Sequence, residues 1–466
     1  MNEKKYDLAV IGGGPGGYVA AIRGSQLGLS TVLVEHENLG GVCLNWGCIP
    51  TKALLKTAEV FRNIKNAEKY GLRVSGLGYD IDKIVDRSRN IAEQLSLGVT
   101  GLLKKNQVDV INGFGKLSGN GRVSIARDQS NTIDLLAKNI IIASGARARV
   151  LPGFEPDGEL IWTYKEAMTP NIMPKKLLVV GSGAIGIEFA SFYNTLGADV
   201  TVIELLPRIL PTEDIEISEL AQKLFEKDGI TFITKAKLDS LKKKKGTVSC
   251  IIKFEQKVLE LDFDRVIMAV GIQGNHEGIG LENTMVKVEK EHIVVDQWNA
   301  TSEDGVYAIG DIVGPPWLAH KASHEGIICV EKIAGKKRIH PINKNKIPGC
   351  TYSHPQIASV GLTEVQATEK GFDIKVGKFP FIGNGKAIAL GEPDGLIKTI
   401  FDASNGELLG AHMIGTEVTE LIQGYSIGMT LETTEAEIIE TIFPHPTLSE
   451  MMHESVLNAY ERTIHY

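Results

Sequence analysis

A basic excess is missing from this chain. Lys and Arg number 50 against 57 Asp and Glu, leaving a net charge of −7 at pH 7. A nucleic-acid binder needs a basic face to neutralise phosphates, so no nucleic-acid partner is expected. Cysteine is scarce: five in 466 residues is a small, odd number, which builds no disulfide framework. In a reducing compartment a cysteine pair points to catalysis or to metal binding instead. Long apolar runs are also missing. None approaches the roughly 18 residues of a transmembrane helix, so no membrane association is expected. The first strand pattern starts near Tyr6, so no targeting peptide is expected. The expected location is cytoplasmic, with a processed matrix protein as the alternative. Charged residues at 23% and hydrophobic residues at 43% exclude wholesale disorder. What the chain has in excess is glycine, 50 residues, where an average usage of about 7% would give fewer. That excess implies sharp turns and close approaches of backbone to ligand. At roughly 150 residues per domain, the length suggests about three domains.

A strand–turn–helix–strand phrase occurs twice. Residues 6–11 are an apolar strand, followed by a glycine-rich turn, a helix to about Leu27 and the strand Thr31–Glu35. Residues 176–180, GSGAIG, 187–196 and 199–204 repeat the phrase, as β-α-β units of a parallel sheet do. Each unit is followed by a buried strand ending at a small-residue corner, NIIIASG at 139–145 and RVIMAVG at 265–271. A further strand, GVYAIGD at 305–311, returns the chain to the first unit. Residues 65–109 read as helical by apolar spacing. Lys242–Lys245 before Gly246 reads as a solvated hairpin turn. Beyond about Pro341 the pattern becomes glycine-punctuated strands with helices near 417–429 and 435–439.

The turns carry a dinucleotide fingerprint. Gly12, Gly14 and Gly17 form G-x-G-x-x-G in the required strand-to-helix context, and Gly181, Gly183 and Gly186 form a second. The first glycine makes the turn, the second admits the pyrophosphate and the third lets the helix pack on the strand. The helix N-terminus then holds the phosphates. Glu35 and Glu204 end the following strands at equal spacing, where a carboxylate takes the ribose hydroxyls. One such motif is weak, but two in matching context make a mere glycine-rich turn a poor explanation. A carboxylate at Glu204 repels a 2′-phosphate, so the second site should prefer NAD to NADP. The fold class expected is α/β, two nested Rossmann-like dinucleotide-binding domains followed by a C-terminal α+β domain.

After the first unit comes GGVCLNWGCIPTK, with Cys43 and Cys48. A regular helix would hold these two too far apart for a disulfide, and Gly47 supplies the freedom to bring them together. Cysteines near a helix start are expected to have lowered pKa values and reactive thiolates. Lys52 falls on the same helical face as Cys48. Zinc is disfavoured because no second Cys or His pair completes four ligands, and no metal is expected. Cys250, Cys329 and Cys350 are isolated and read as inert.

Near the C-terminus, Thr447-x-x-Glu450 has two readings. Alone it is favoured as a capping box at a helix start. Alternatively His445 is a base oriented by Glu450, which thiol–disulfide exchange requires. Flanking prolines would fix the backbone, and a cis bond before Pro446 is compatible with that. His320 and His324 are the competing histidines and read as helix residues.

GGVCLNWGCIPTK, both fingerprints, YAIGD and HPTLSE together resemble the flavoprotein disulfide reductases, the pyridine nucleotide-disulfide oxidoreductase family, over essentially the whole chain. The resemblance implies FAD at the first fingerprint and NAD at the second, with Cys43 and Cys48 as the redox-active pair. It places Lys52 near the flavin, paired with Glu188. It puts Gly115, Ser144, Gly145, Gly310 and Asp311 around FAD, and Gly271, with Glu188, at the NAD site. Ala319 would start a helix whose positive end faces the flavin. It makes the C-terminal domain a homodimer interface and His445, with Glu450, the base. The implied divisions are 1–148 and 276–345 for FAD, 149–275 for NAD and 346–466 for the interface. The implied reaction is oxidation of protein-bound dihydrolipoamide by NAD⁺. The enzyme would be the E3 component of 2-oxo acid dehydrogenase complexes, with lipoyl domains of E2 as partners, extending to the glycine cleavage system. Another reductase of the same fold, or a non-enzymatic nucleotide-binding scaffold, is the alternative. Two departures stand out: Trp46 is bulkier than the small apolar residue expected, and Gly271–Asn275 lacks the usual Arg and Pro.

Overall fold

The structure is a computed structural model that describes residues 4–128 and 131–466. The chain forms two compact units. The first comprises Met1–Ala53, Asp82–Arg149 and Gly271–Ile342; the second comprises Leu54–Ile81, Val150–Val270 and Asn343–Tyr466.

In the first unit, β1 (Lys4–Ile11), α1 (Pro15–Gln26) and β2 (Thr31–Glu35) form the expected β-α-β phrase. α2 (Gly41–Trp46), α3 (Cys48–Lys65) and α4 (Ile81–Lys105) follow, then β3 (Thr132–Ile142). β1 lies between β2 and β3, parallel to both, with Ile11 opposite Val34 and Ile142. Asp109–Asn112 and Val306–Ala308 join the two edges in parallel. Leu8, Val10, Leu33 and Ile141 are fully buried beneath α1 and α4, in one cluster with Val99 and Leu103. Each such side chain contributes about 1.5–3 kcal/mol by leaving water. The continuous 65–109 helix expected from apolar spacing is interrupted. α3 stops at Lys65, and no helix forms from Leu72 to Asp80. Gly71 and Gly76 have positive φ there, and every residue from Gly71 to Asp80 is exposed.

In the second unit, β4 (Lys176–Val180), α5 (Ala184–Thr195) and β5 (Asp199–Ile203) repeat the phrase, and α6 (Ile215–Lys227) and β6 (Arg265–Met268) follow. β4 lies between β5 and β6, all parallel. A three-stranded antiparallel sheet, with its turn at the lysine run, is inserted between α6 and β6. The same unit contains a five-stranded antiparallel sheet built from residues 349–415. The helices Val418–Thr430 and Glu450–Ala459 pack on it through Tyr425, Met451 and Val456. Among the described residues, no helix is long and apolar enough to cross a membrane.

Candidate active site

The two glycine corners are built alike, from the strand outward. A Cβ on Gly17 would collide with the Gly12 carbonyl, and one on Gly186 with the Gly181 carbonyl. The third glycine is therefore obligatory, because helix and strand touch there. The middle glycines behave differently. A Cβ on Gly183 would meet nothing, and one on Gly14 only the Gly41 Cα at 4.0 Å. Each corner thus leaves open space where a pyrophosphate would lie, bordered by helix N–H groups. Both strand-end acids reach back to the middle of the turn. Glu35 Oε2 accepts from the Gly13 N–H at 2.6 Å, and its Oε1 from the N–H groups of His36 and Glu37 at 2.8 and 2.7 Å. Glu204 Oε2 accepts from the Ser182 N–H and hydroxyl at 2.9 and 2.7 Å, and its Oε1 from the Leu206 N–H at 2.9 Å. Burial raises the Glu35 pKa, but the His36 side chain and the backbone N–H groups of Glu37 and Gly13 outweigh it, so the net shift is downward.

Other predicted flavin residues gather in the first unit. Gly115 abuts Ile11 and Val34 at the ends of β1 and β2. Ala319 opens the helix Ala319–Ile333, which crosses α1 closely at Gly16 and Gly326. Asp311 sits in a turn gripped from both sides. The Gly310 N–H donates to Glu325 at 2.8 Å, while Lys321 Nζ donates to the carbonyls of Gly310 and Gly314 at 3.4 and 2.9 Å. Lys321 and Glu325 are themselves a buried ion pair at 3.0 Å. Burial raises the Asp311 pKa, opposed by the Lys321 charge. Neither Lys321 nor Glu325 was among the predicted residues, although their i,i+4 spacing on a helix is a readable signal. His320 and His324 both belong to this helix, as expected, and both are exposed.

The departure at Gly271–Asn275 has a structural account. Asn275 stitches the Ser144–Gly145 corner. Its N–H donates to the Gly145 carbonyl at 3.0 Å, its side-chain amide to the Ser144 carbonyl at 2.9 Å, and its own carbonyl accepts from the Ser144 hydroxyl at 2.9 Å. Gly274 is required beside it, since a Cβ there would lie 2.5 Å from the Glu291 carbonyl oxygen. Gly271 itself has a φ of +97°.

The cysteine segment is fastened to the first corner by the Gly40 N–H, which donates to the Gly13 carbonyl at 2.8 Å. α2 ends at Gly47 and α3 begins at Cys48. A Cβ at position 47 would lie 3.0 Å from the Val42 carbonyl oxygen and 3.4 Å from the Cys43 Cα. Glycine there lets the chain fold Cys48 back onto Cys43. Both are free thiols, Cys43 half-buried and Cys48 exposed. Their mutual hydrogen bond, and then burial, push the Cys43 thiol well above its ordinary range, against the pull of Lys52. The expectation of a lowered pKa is therefore corrected for Cys43. Cys48 occupies the start of α3, where the free N–H groups of a helix point outward. Cys250 and Cys329 are fully buried, and burial pushes the Cys250 thiol up to about 12. Cys350 is half-buried beside Tyr352.

In the second unit, His445 Nδ1 is 2.8 Å from Glu450 Oε1, while Glu450 Oε2 accepts from the Thr447 N–H at 2.8 Å. The Thr447 hydroxyl donates to the Pro444 carbonyl and caps no helix; the helix starts at Glu450 after Ser449. One carboxylate therefore serves half of the capping pattern and also orients an imidazole. Burial raises the Glu450 pKa, but the Thr447 N–H and His445 outweigh it and hold the carboxyl below its ordinary value. His445 is 80% exposed, and with Nδ1 engaged, Nε2 is the nitrogen left to exchange a proton. The His445–Pro446 peptide is cis. Glu188, on α5, is buried and accepts from the Tyr352 N–H at 2.9 Å.

The family profile described as pyridine nucleotide-disulphide oxidoreductase matches residues 6–326, and that of its dimerisation domain matches residues 347–456. A dihydrolipoyl dehydrogenase of Zymomonas mobilis is 55% identical over 99% of this chain and 99% of its own length. One from Rhizobium etli is 53% identical with the same coverage. Among solved structures, LpdA of Mycobacterium tuberculosis matches with a TM-score of 0.91 at 25% identity, covering 97% of this chain and 99% of that one. The HOCl-induced flavoprotein disulfide reductase RclA of Escherichia coli, at 0.85 and 24% identity over 97% and 99%, shares the fold.

Proposed function

Because the chain belongs to the pyridine nucleotide-disulphide oxidoreductases, dimerisation domain included, we propose that it oxidises protein-bound dihydrolipoyl groups with NAD⁺ through the Cys43–Cys48 pair. Its activity is that of a dihydrolipoyl dehydrogenase, and its cofactors are FAD and NAD. The observation that carries the reading is the Gly47 break, which brings two cysteines together on a segment bonded to a dinucleotide corner.

Gly12, Gly14, Gly17 and Glu35 hold the flavin nucleotide, with Gly115, Ser144, Gly145, Gly310, Asp311 and Ala319 around it. Gly181, Gly183, Gly186, Glu204 and Gly271 hold NAD, and Lys52 pairs with Glu188 near the flavin. Residues 1–148 and 276–345 serve the flavin, 149–275 serve NAD, and 346–466 pair two copies. When bound, FAD would supply a two-electron carrier between the Cys43–Cys48 dithiol and NAD⁺; as the disulfide re-forms, Cys43 gives up its proton and the electron pair leaves through the Cys48 sulfur.

The protein's own residues do the rest. A dihydrolipoyl thiolate attacks Cys43 Sγ; the Cys43–Cys48 bond breaks and Cys48 leaves as thiolate. His445 Nε2, with Nδ1 held by Glu450, takes the proton of the second substrate thiol. That sulfur attacks the first, closing the substrate disulfide and releasing Cys43, which takes the proton from His445. The upward shift of the Cys43 thiol beside Cys48 is in keeping with this ending. The lipoyl domain of an E2 component is the macromolecular substrate, and a reducing cytoplasm suits the three remaining thiols.

Cys43→Ser tests the assignment. No corner residue is touched, so the purified protein should stay yellow with bound FAD while oxidation of dihydrolipoamide disappears. Retained turnover would remove Cys43 from the mechanism.

A further inference from the structure

Three consecutive residues of α4 hold the cysteine segment by its carbonyls. Arg87 Nη1 donates to the Ala53 carbonyl at 2.8 Å, the Ser88 hydroxyl to that of Pro50 at 3.3 Å, and Arg89 Nη2 to that of Asn45 at 2.5 Å. Two turns further on, the Ser96 hydroxyl donates to the Leu39 carbonyl at 2.9 Å. The two stretches run in opposite directions, so one helix splints the whole segment from Leu39 to Ala53. The splint is rigid because its far end is part of the core: Val99 and Leu103 are buried with Leu8, Val10 and Leu33.

Arg89 holds the point that matters most. Asn45 is the penultimate residue of α2, before the Gly47 break, so its carbonyl lies between the two cysteines in sequence. The Arg89 guanidinium also stacks 4.4 Å from the centre of the Trp46 ring, on the residue that departs from the family pattern. A planar guanidinium can bond in its plane and stack on its face at once, which an ammonium cannot. The two contacts fix both sides of the peptide that sets the separation of Cys43 from Cys48.

We propose that Arg89, through the Asn45 carbonyl and the Trp46 ring, is a positioning residue that sets the reduction potential of the Cys43–Cys48 pair. The inference rests on the redox role given above to these cysteines. A disulfide forms in proportion to how often its two sulfurs meet in bonding geometry. Fixing the turn before Gly47 raises that frequency and favours the oxidised form. Freeing the turn gives the dithiol conformations the disulfide cannot reach, so the midpoint becomes less negative. Arg89 touches no reacting atom.

The test is an anaerobic titration of the FAD-loaded enzyme against mixtures of dihydrolipoamide and lipoamide, followed by its long-wavelength absorbance. Arg89→Met should shift the disulfide–dithiol equilibrium about tenfold toward dithiol, about 30 mV for a two-electron couple. FAD content should be unchanged. Arg89→Lys should recover part of the shift, and Trp46→Leu, which removes the stack alone, should reproduce part of it. If Arg89→Met does not fold, Arg89→Lys and Trp46→Leu decide. Variants that titrate with the wild-type midpoint overturn the inference. A wild-type enzyme that gains no titratable thiol pair on reduction would instead defeat the redox assignment itself, and thiol counting before and after reduction separates the two failures.

Discussion

At the scale of single residues, two side chains make quantitative claims. Glu204 is tied to the Ser182 and Leu206 N–H groups, so it cannot swing away from an incoming 2′-phosphate. Leaving a carboxylate beside a phosphate costs several kcal/mol, and about 1.4 kcal/mol is a factor of ten. Specificity constants should therefore favour NAD⁺ over NADP⁺ by at least about 10²; equal use would contradict the second site. His354 is a stability element. Burial, reinforced by the charge of Arg62, pushes its pKa down to about 3. The folded state binds this proton more weakly than the unfolded chain, whose His titrates near 6.5. The stability it contributes is full above about 6.5 and is lost as pH falls from there toward 3. Thermal unfolding followed between pH 7 and 4 should show a falling midpoint, and His354→Gln should flatten that slope. An unchanged slope in the variant would assign the acid sensitivity to other groups.

At the scale of elements, the N-terminus of α6 is a knot. Asp214 caps it by accepting from the Glu216 N–H, and also accepts from Lys398 Nζ at 2.8 Å. Lys398, on the strand Leu396–Asp402, is 3% exposed and also pairs with Glu364 at 2.7 Å. Removing one partner of a buried pair leaves an uncompensated charge, at a cost of about 3–5 kcal/mol. Lys398→Met should destabilise the protein by that order in denaturant unfolding, and adding Asp214→Asn should return part of it. Independent, additive losses would mean the two are not coupled. Nothing in the sequence links residues 214 and 398, because only the fold brings them together. The same holds for the grip of Arg87, Ser88 and Arg89 on carbonyls, since backbone acceptors carry no sequence signature. The β-α-β phrases, by contrast, were legible nearly to the residue, because the glycines that make each turn have no substitute. The break between α3 and α4 is not legible in the apolar spacing, which continues across Leu72–Asp80 while glycines there interrupt the backbone.

At the scale of the whole molecule, the cysteines and the proposed base are some 400 residues apart in sequence, and the chain carries the family's dimerisation domain. If each copy lends His445 to its partner's cysteines, mutants should complement. Cys43→Ser and His445→Ala homodimers should each be nearly inactive, since loss of a general base costs roughly 10²–10⁴ in rate. A purified hybrid holds one complete site and should approach half of wild-type activity. A hybrid no better than its parents would place the base in its own subunit.

The back-bonded carboxylates of Glu35 and Glu204 have a calorimetric consequence. Each already accepts three hydrogen bonds, which seat it and leave about one lone pair for a ribose hydroxyl. Neither has rotamer freedom left to surrender when a nucleotide arrives, where an unrestrained Glu would give up as much as about 1.5–2 kcal/mol of conformational entropy. Cutting a tether without removing the acid, as in Ser182→Ala at its hydroxyl, should therefore appear in NAD titration calorimetry mainly as a more unfavourable entropy of binding, with the enthalpy of the ribose contacts largely kept.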